Sequence, residues 1–475
     1  MSRSPAARNG GDSFARAVAF VLTLIFTSPN LAESTIPNIP WVAFALAVIL
    51  LLPYGFREFV IPRRSLRESP KSMFPRLFPA IVPAILFLAA ICIPTLYGAD
   101  LTPTLVGLIK LTAILLVGLP VLVARPRLAL SAFYGLIAAF WINFALMLTG
   151  VFFGGPAASL MMRGRWGTLL NHPGFLWRLS ISVWFFAGYL AAKRHSLRNC
   201  AFFISISALV YLDGARTGLL FVLLGGLLLA FVLAAERGHL RRLLITGVIG
   251  AVGLGIIAGG LLSRITLPEE GGLARVGELA ISVSTIGAAG LGDVEPARFI
   301  MFFDVTRAIR DHPFFGTGMA STTSDMGEAG PMNIHMTYLQ VWANLGLLGV
   351  VSYVWLTWGW ISWWPKMLRR IRGLENDRTR ALYYNAFFIL LVCGLGACTY
   401  PLGDEWSDWI SFLVAYALLW HLVGSQPKYQ APKRPCSPLP ERPGPQFPSP
   451  PPSSGCAFGA KEAVAGVVHE SHAGD

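Results

Sequence analysis

TGLLFVLLGGLLLAFVLA, residues 217–234, holds no charged side chain and is flanked by Arg216 on one side and by Glu236 and Arg237 on the other. A helix needs about 20 mostly apolar residues to cross the hydrocarbon core of a bilayer. This run is long and apolar enough to do so. Comparable runs recur along the chain, centred on 14–29, 40–56, 74–97, 103–124, 128–152, 174–192, 199–213, 243–262, 336–362, 382–400 and 407–424. The expected fold is an all-α polytopic membrane protein with about twelve transmembrane helices. Composition agrees. Hydrophobic residues make up 54% and charged residues 13%, against about 25% charged in soluble domains. That balance excludes a soluble globular enzyme, a fibrous chain and a disordered chain.

The formal net charge is +13, from 38 Lys and Arg against 25 Asp and Glu. In a soluble protein this would point to nucleic acid. Here the Lys and Arg bias of cytoplasmic loops explains it, and no nucleic-acid partner is expected. Loops 57–73, 125–127, 193–198, 235–242 and 363–381, with the span-edge Arg76, hold 20 basic residues, whereas the opposite loops, with Arg216 at a span mouth, hold 8. The positive-inside rule then puts both termini in the cytoplasm.

The expected divisions are a cytoplasmic N-terminus (1–13), nine spans (14–262), a long outer loop (263–335), three more spans (336–424) and a Pro-rich tail (425–475). The tail cannot build a core and reads as a disordered cytoplasmic extension. None of the six cysteines falls in an outer loop, so no disulfide is expected. The outer loop is expected to carry short amphipathic helices. In 298–310, Phe302, Val305, Ala308 and Ile309 share one side, and Arg307 and Asp311 are spaced to pair.

Ionisable groups in or beside membrane spans are costly and are functional candidates. Arg163, Arg165, Arg178, Arg216, Arg298, Arg307 and Arg310 gather toward the outer face, with His172, His312 and His335, against the positive-inside bias. Arginines there suit an anionic substrate, because the guanidinium fork matches phosphate and stays charged. Lys110 is mid-span and is a weaker candidate. Carboxylates that could hold a metal, such as Glu269 with Glu270 or Asp404, Glu405 and Asp408, match no trusted pattern. No metal or other cofactor is expected.

HPFFGTGMAS (312–321) is followed by NIHMTYLQVWANLGLLGVVSYV (333–354). This pair resembles the O-antigen ligase and polymerase superfamily, in which the long periplasmic loop ends in a Pro-x-x-Gly-x-Gly turn. A His, Tyr-Leu-Gln, Gly-Leu-x-Gly stretch then enters the next span. The matching positions are Pro313, Gly316, Gly318, His335, Tyr338, Leu339, Gln340, Gly346, Leu347 and Gly349. DGARTGLL (213–220) resembles the family's arginine-threonine span opening through Arg216 and Thr217, and ARFIMFFDVTRAIRDHP (297–313) its arginine-led helix through Arg298. Met336 stands where the family usually has asparagine.

The resemblance implies a glycosyltransferase of the bacterial inner membrane, part of the cell-envelope and lipopolysaccharide machinery, acting on the periplasmic face. Its donor would be a glycan on undecaprenyl pyrophosphate. Its acceptor would be lipid A–core for a ligase, the favoured reading, or a second lipid-linked glycan for a polysaccharide polymerase. By the same resemblance His335 is the catalytic base and Arg216 and Arg298 bind pyrophosphate, with Arg163, Arg165 and Arg178 as possible additions. The transfer would be metal-independent and inverting. A secondary transporter is the distant alternative, weakened by the lack of paired broken-helix signals.

Overall fold

The computed structural model describes residues 5–27, 74–153, 167–168, 170, 174, 176–238, 296–319, 321–325, 331–333, 336–396 and 406–424. All lie within the unit Met1–Ser425. The expected spans 40–56 and 243–262, most of the outer loop and the tail lie outside the described residues.

Helices dominate. In chain order they are α1 (Pro5–Phe26), α2 (Phe74–Cys92), α3 (Leu101–Thr112), α4 (Pro126–Phe153), α5 (Leu176–Arg194), α6 (Leu197–Asp213), α7 (Arg216–Glu236), α8 (Pro296–Asp311), α9 (Thr337–Trp358), α10 (Trp364–Arg372), α11 (Asp377–Gly396) and α12 (Trp406–Gly424). α3 continues through a π-turn at Ala113–Gly118 into Leu119–Ala124. Pro120 lacks an N–H to give the preceding turn, and the widened turn accommodates it.

Five described helices are long and apolar enough to cross a membrane: Leu101–Val123, Pro126–Gly150, Thr217–Glu236, Thr337–Arg372 and Asp377–Gly396. Ser13–Phe26, Ile81–Tyr97 and Asp408–Val423 are shorter apolar helices. The expected all-α membrane fold therefore stands. The count of twelve spans is not reached among the described residues. A short antiparallel ribbon also departs from it: β1 (Thr323–Asp325) pairs with β2 (Pro331–Asn333), Ser324 facing Met332.

α5 is the axis of the bundle, with every residue from Leu176 to Ala191 buried. Its register against α11 is pinned by an inserted side chain. The Asn385 amide accepts from Phe186 N–H at 3.0 Å and donates to Ser182 C=O at 2.8 Å. Those two backbone groups would otherwise bond each other four residues apart, so the amide bridges one rung of the helix. α7 also comes close. A Cβ on Gly225 would lie 2.7 Å from Trp184 and 2.8 Å from Phe388, so only a small residue fits there. At the far end of α7, Glu236 takes Lys193 Nζ at 2.6 Å and the Tyr189 hydroxyl at 2.9 Å, tying α5 to α7.

The expected span at 336–362 is broken and not straight. Gly346 has φ 70° and ψ −167°, so α9 is two arms, one before it and one after. In a straight helix, residues nineteen apart lie about 28 Å apart. Here the Tyr338 hydroxyl is 3.2 Å from Thr357 Oγ1, and the Tyr338 and Tyr353 rings are 5.6 Å apart. The first arm folds back along the second. The local reason is Gly346, whose left-handed φ a right-handed helix cannot continue through. The expected inner loop 363–381 holds a helix. α10 occupies 364–372 with Met367 and Ile371 buried, and Arg370 donates to Val423 C=O at 2.7 Å, capping the end of α12.

Candidate functional site

The turn after α8 and the break in α9 form one unit. A broken helix leaves backbone groups on both sides without intrahelical partners, and the turn supplies them. Thr317 N–H donates to Ala343 C=O at 2.9 Å, Gly318 N–H to Asn344 C=O at 2.9 Å, and Leu347 N–H to Phe314 C=O at 3.2 Å. Trp342 Nε1 donates to Pro313 C=O at 3.0 Å. Gly316 and Gly346 both have left-handed φ. A Cβ on Gly316 would sit 2.3 Å from Asn344 O, and one on Gly346 would sit 2.1 Å from Phe314 O. One glycine from each sequence motif, Gly316 and Gly346, is where the two backbones touch.

This junction orients α8. Both α8 and the first arm of α9 run toward it, so they lie side by side in parallel. Met301, Val305 and Ala343 are buried together, with Ala308, Ile309, Met336 and Leu339 packed around them. The expected face holds at Val305, Ala308 and Ile309, with Met301 in place of Phe302. Met301 is buried, whereas Phe302 is exposed with Phe299, Ile300 and Phe303. The expected Arg307–Asp311 pairing is also replaced, since Arg310 Nε lies 3.6 Å from Asp311. Arg298 is exposed in the first turn of α8, one turn before Met301. Parallel packing carries it to the Met336 end of the arm.

A second group of candidates meets at the start of α5. α6 ends at Asp213, Gly214 takes a left-handed φ of 67°, and α7 begins at Arg216. Fully buried Asp213 accepts from Gly174 N–H at 2.6 Å and Trp177 N–H at 3.3 Å, satisfying backbone donors at the head of α5. The turn that starts α7 is thus fastened to α5. Trp177 stacks on Phe221 of α7 at 5.8 Å. Next to it, Arg178 is buried, and its Nη1 lies 2.9 Å from Asp408 Oδ2 at the start of α12. Ser182 and Ser411 hydroxyls meet at 2.9 Å one turn further along. These side chains, with Cys393 and Gly396, line a cavity of about 40 Å³. Tyr338 approaches the same end of α11, donating to Gly394 C=O at 2.9 Å and accepting from Trp358 Nε1 at 2.6 Å.

The described residues therefore bring three things to one end of the bundle: the turn that carries Arg216, the Arg178–Asp408 pair, and the α9 arm that begins just after His335. His335, Arg163, Arg165 and His172 lie outside the described residues. Lys110 is half-buried on α3, and His312 is exposed beside the glycine turn. Asp408 matches no sequence motif, and its role comes from its position. A lone arginine in an apolar span needs a counter-charge, and the first turn of the last span holds the carboxylate that supplies it.

Residues 200–354 match the family model described as O-Antigen ligase. The matched stretch contains the turn at 213–216, α8, the glycine turn and the break in α9. No curated protein matches the chain.

Proposed function

From the match of residues 200–354, which supports membership in the O-antigen ligase superfamily, we propose that the protein transfers a glycan from undecaprenyl pyrophosphate to lipid A–core at the periplasmic face of the bacterial inner membrane. The observation that carries this reading is the α8–turn–α9 unit. It accounts for both glycine motifs and carries the Arg298 end of α8 to the residue that follows His335.

The chemistry follows from the charges. An acceptor hydroxyl attacks the anomeric carbon and gives its proton to His335. The bond from that carbon to the pyrophosphate oxygen breaks on the opposite face, so the centre inverts. The lipid pyrophosphate leaves with its electron pair, and Arg216 and Arg298 stabilise the growing negative charge. The charge is assigned to arginines, not to a metal. Arg163 and Arg165 remain additional phosphate ligands in this reading. Arg178 does not, because its charge is already balanced by Asp408 at 2.9 Å. It positions the start of α5 against α12.

A polymerase uses the same donor with a second lipid-linked glycan as acceptor, and the two are separated by one experiment. The gene is deleted in its own host and surface and lipid-linked glycans are resolved on a gel. A ligase leaves lipid A–core without long chains, while those chains accumulate on the lipid carrier. A core carrying a single repeat, or loss of an exopolysaccharide, identifies a polymerase. An unchanged glycan profile refutes glycan transfer.

A further inference from the structure

At the other end of the bundle, α4 and α11 begin and α12 ends around a cavity of about 290 Å³. α11 runs 20 residues from Asp377 to Gly396, so this cavity lies about 30 Å from the candidate active site. It is on the side that the loop charges assign to the cytoplasm. It is independent of the transfer reaction, and its lining is of two kinds.

One wall is cationic. Arg127 stands in the first turn of α4 and Arg378 in the first turn of α11, and both line the cavity. The Arg378 guanidinium is held 5.6 Å over the Tyr134 ring, which fixes where its charge sits. Two helices also start here, so two positive dipole ends lie at the same volume. Asn376 accepts from Arg378 N–H at 2.9 Å and so orders the start of α11. The nearby carboxylate, Asp377, lies 3.7 Å from Arg380, which answers its charge. The other wall is apolar: Leu130, Phe133, Phe186 and Leu418.

We propose that this cavity is a binding site for an anionic phospholipid of the inner leaflet. The phosphodiester sits between Arg127 and Arg378 at the two helix starts, and an acyl chain lies along Leu130, Phe133 and Leu418. A soluble phosphate would use the cationic wall alone. A zwitterionic lipid would bring its own cation against two arginines. Only an anionic head joined to an apolar tail uses both walls.

The test is native mass spectrometry of the delipidated full chain in detergent. It is titrated with dioleoyl phosphatidylglycerol or dioleoyl phosphatidylcholine, with and without millimolar inorganic phosphate. Wild type is expected to retain one phosphatidylglycerol in clear preference to phosphatidylcholine, undisturbed by phosphate. The R127Q/R378Q double variant should lose about thirtyfold in that affinity, from about fivefold per arginine near an anionic lipid. L130W, which keeps both arginines and fills the apolar wall, should also lose the lipid. It covers the case in which the double variant fails to fold. Equal retention of the two lipids, unchanged binding in either folded variant, or displacement by inorganic phosphate would overturn the proposal.

Discussion

Arg178 and Asp408 are 230 positions apart in the chain and 2.9 Å apart in space. Both are largely buried, with side-chain exposures of 6% and 14%. Removing one partner of such a pair leaves an uncompensated charge, at a cost of roughly 3–5 kcal/mol, whereas replacing both with apolar residues is often neutral. D408N should therefore melt well below wild type in detergent, and R178M/D408L should regain most of the loss. Equal melting of the single and double variants would show that the pair contributes nothing of this kind. At His335 the expected effect is on rate. H335A should slow transfer by about 10²–10⁴-fold, as loss of a general base does, while the protein still folds. Arg178 was legible in the sequence as a cation in a span. Its partner was not, because motif spacing carries no information about a contact between the fifth and last described helices of the core.

Among the elements, the break in α9 is the one on which the site depends. G346A would force a side chain into φ 70° and set its Cβ 2.1 Å from Phe314 O. The backbone conformation alone costs about 1–3 kcal/mol, and the clash adds to it. Both melting temperature and transfer activity should fall. G226A is the control, since a Cβ there meets nothing within 4 Å and alanine is the better helix former by about 0.5–1 kcal/mol. It should melt at or above wild type. The glycine motifs were visible in the sequence, but hydropathy read 336–362 as one span. A window of apolar residues has the same mean whether the chain passes through once or folds back. The Gly346 backbone and the contacts of Tyr338 with Thr357 and Tyr353 separate the two. For α8 the amphipathic face was right at Val305, Ala308 and Ile309 and missed only at Phe302, because Met301 and Phe302 are both apolar and only packing against Ala343 selects between them.

For the molecule as a whole, apolar run length revealed the helical membrane body, since a bilayer imposes that length wherever the chain crosses it. The distribution of Lys and Arg gives an expected orientation, with both termini in the cytoplasm. A single cysteine placed at Ser13 should label from the cytoplasmic side, and one placed at exposed Ser321 from the periplasmic side. The reverse pattern would move the candidate site to the wrong face for a lipid-linked periplasmic donor. The most direct test of the central claim is reconstitution. The purified full chain in liposomes is given an undecaprenyl-pyrophosphate-linked glycan and lipid A–core, and the products are separated on a gel. Glycan is expected on lipid A–core with release of the lipid pyrophosphate, and near-complete loss of both in H335A. Donor that stays intact with every acceptor, or H335A activity within about tenfold of wild type, would contradict that claim.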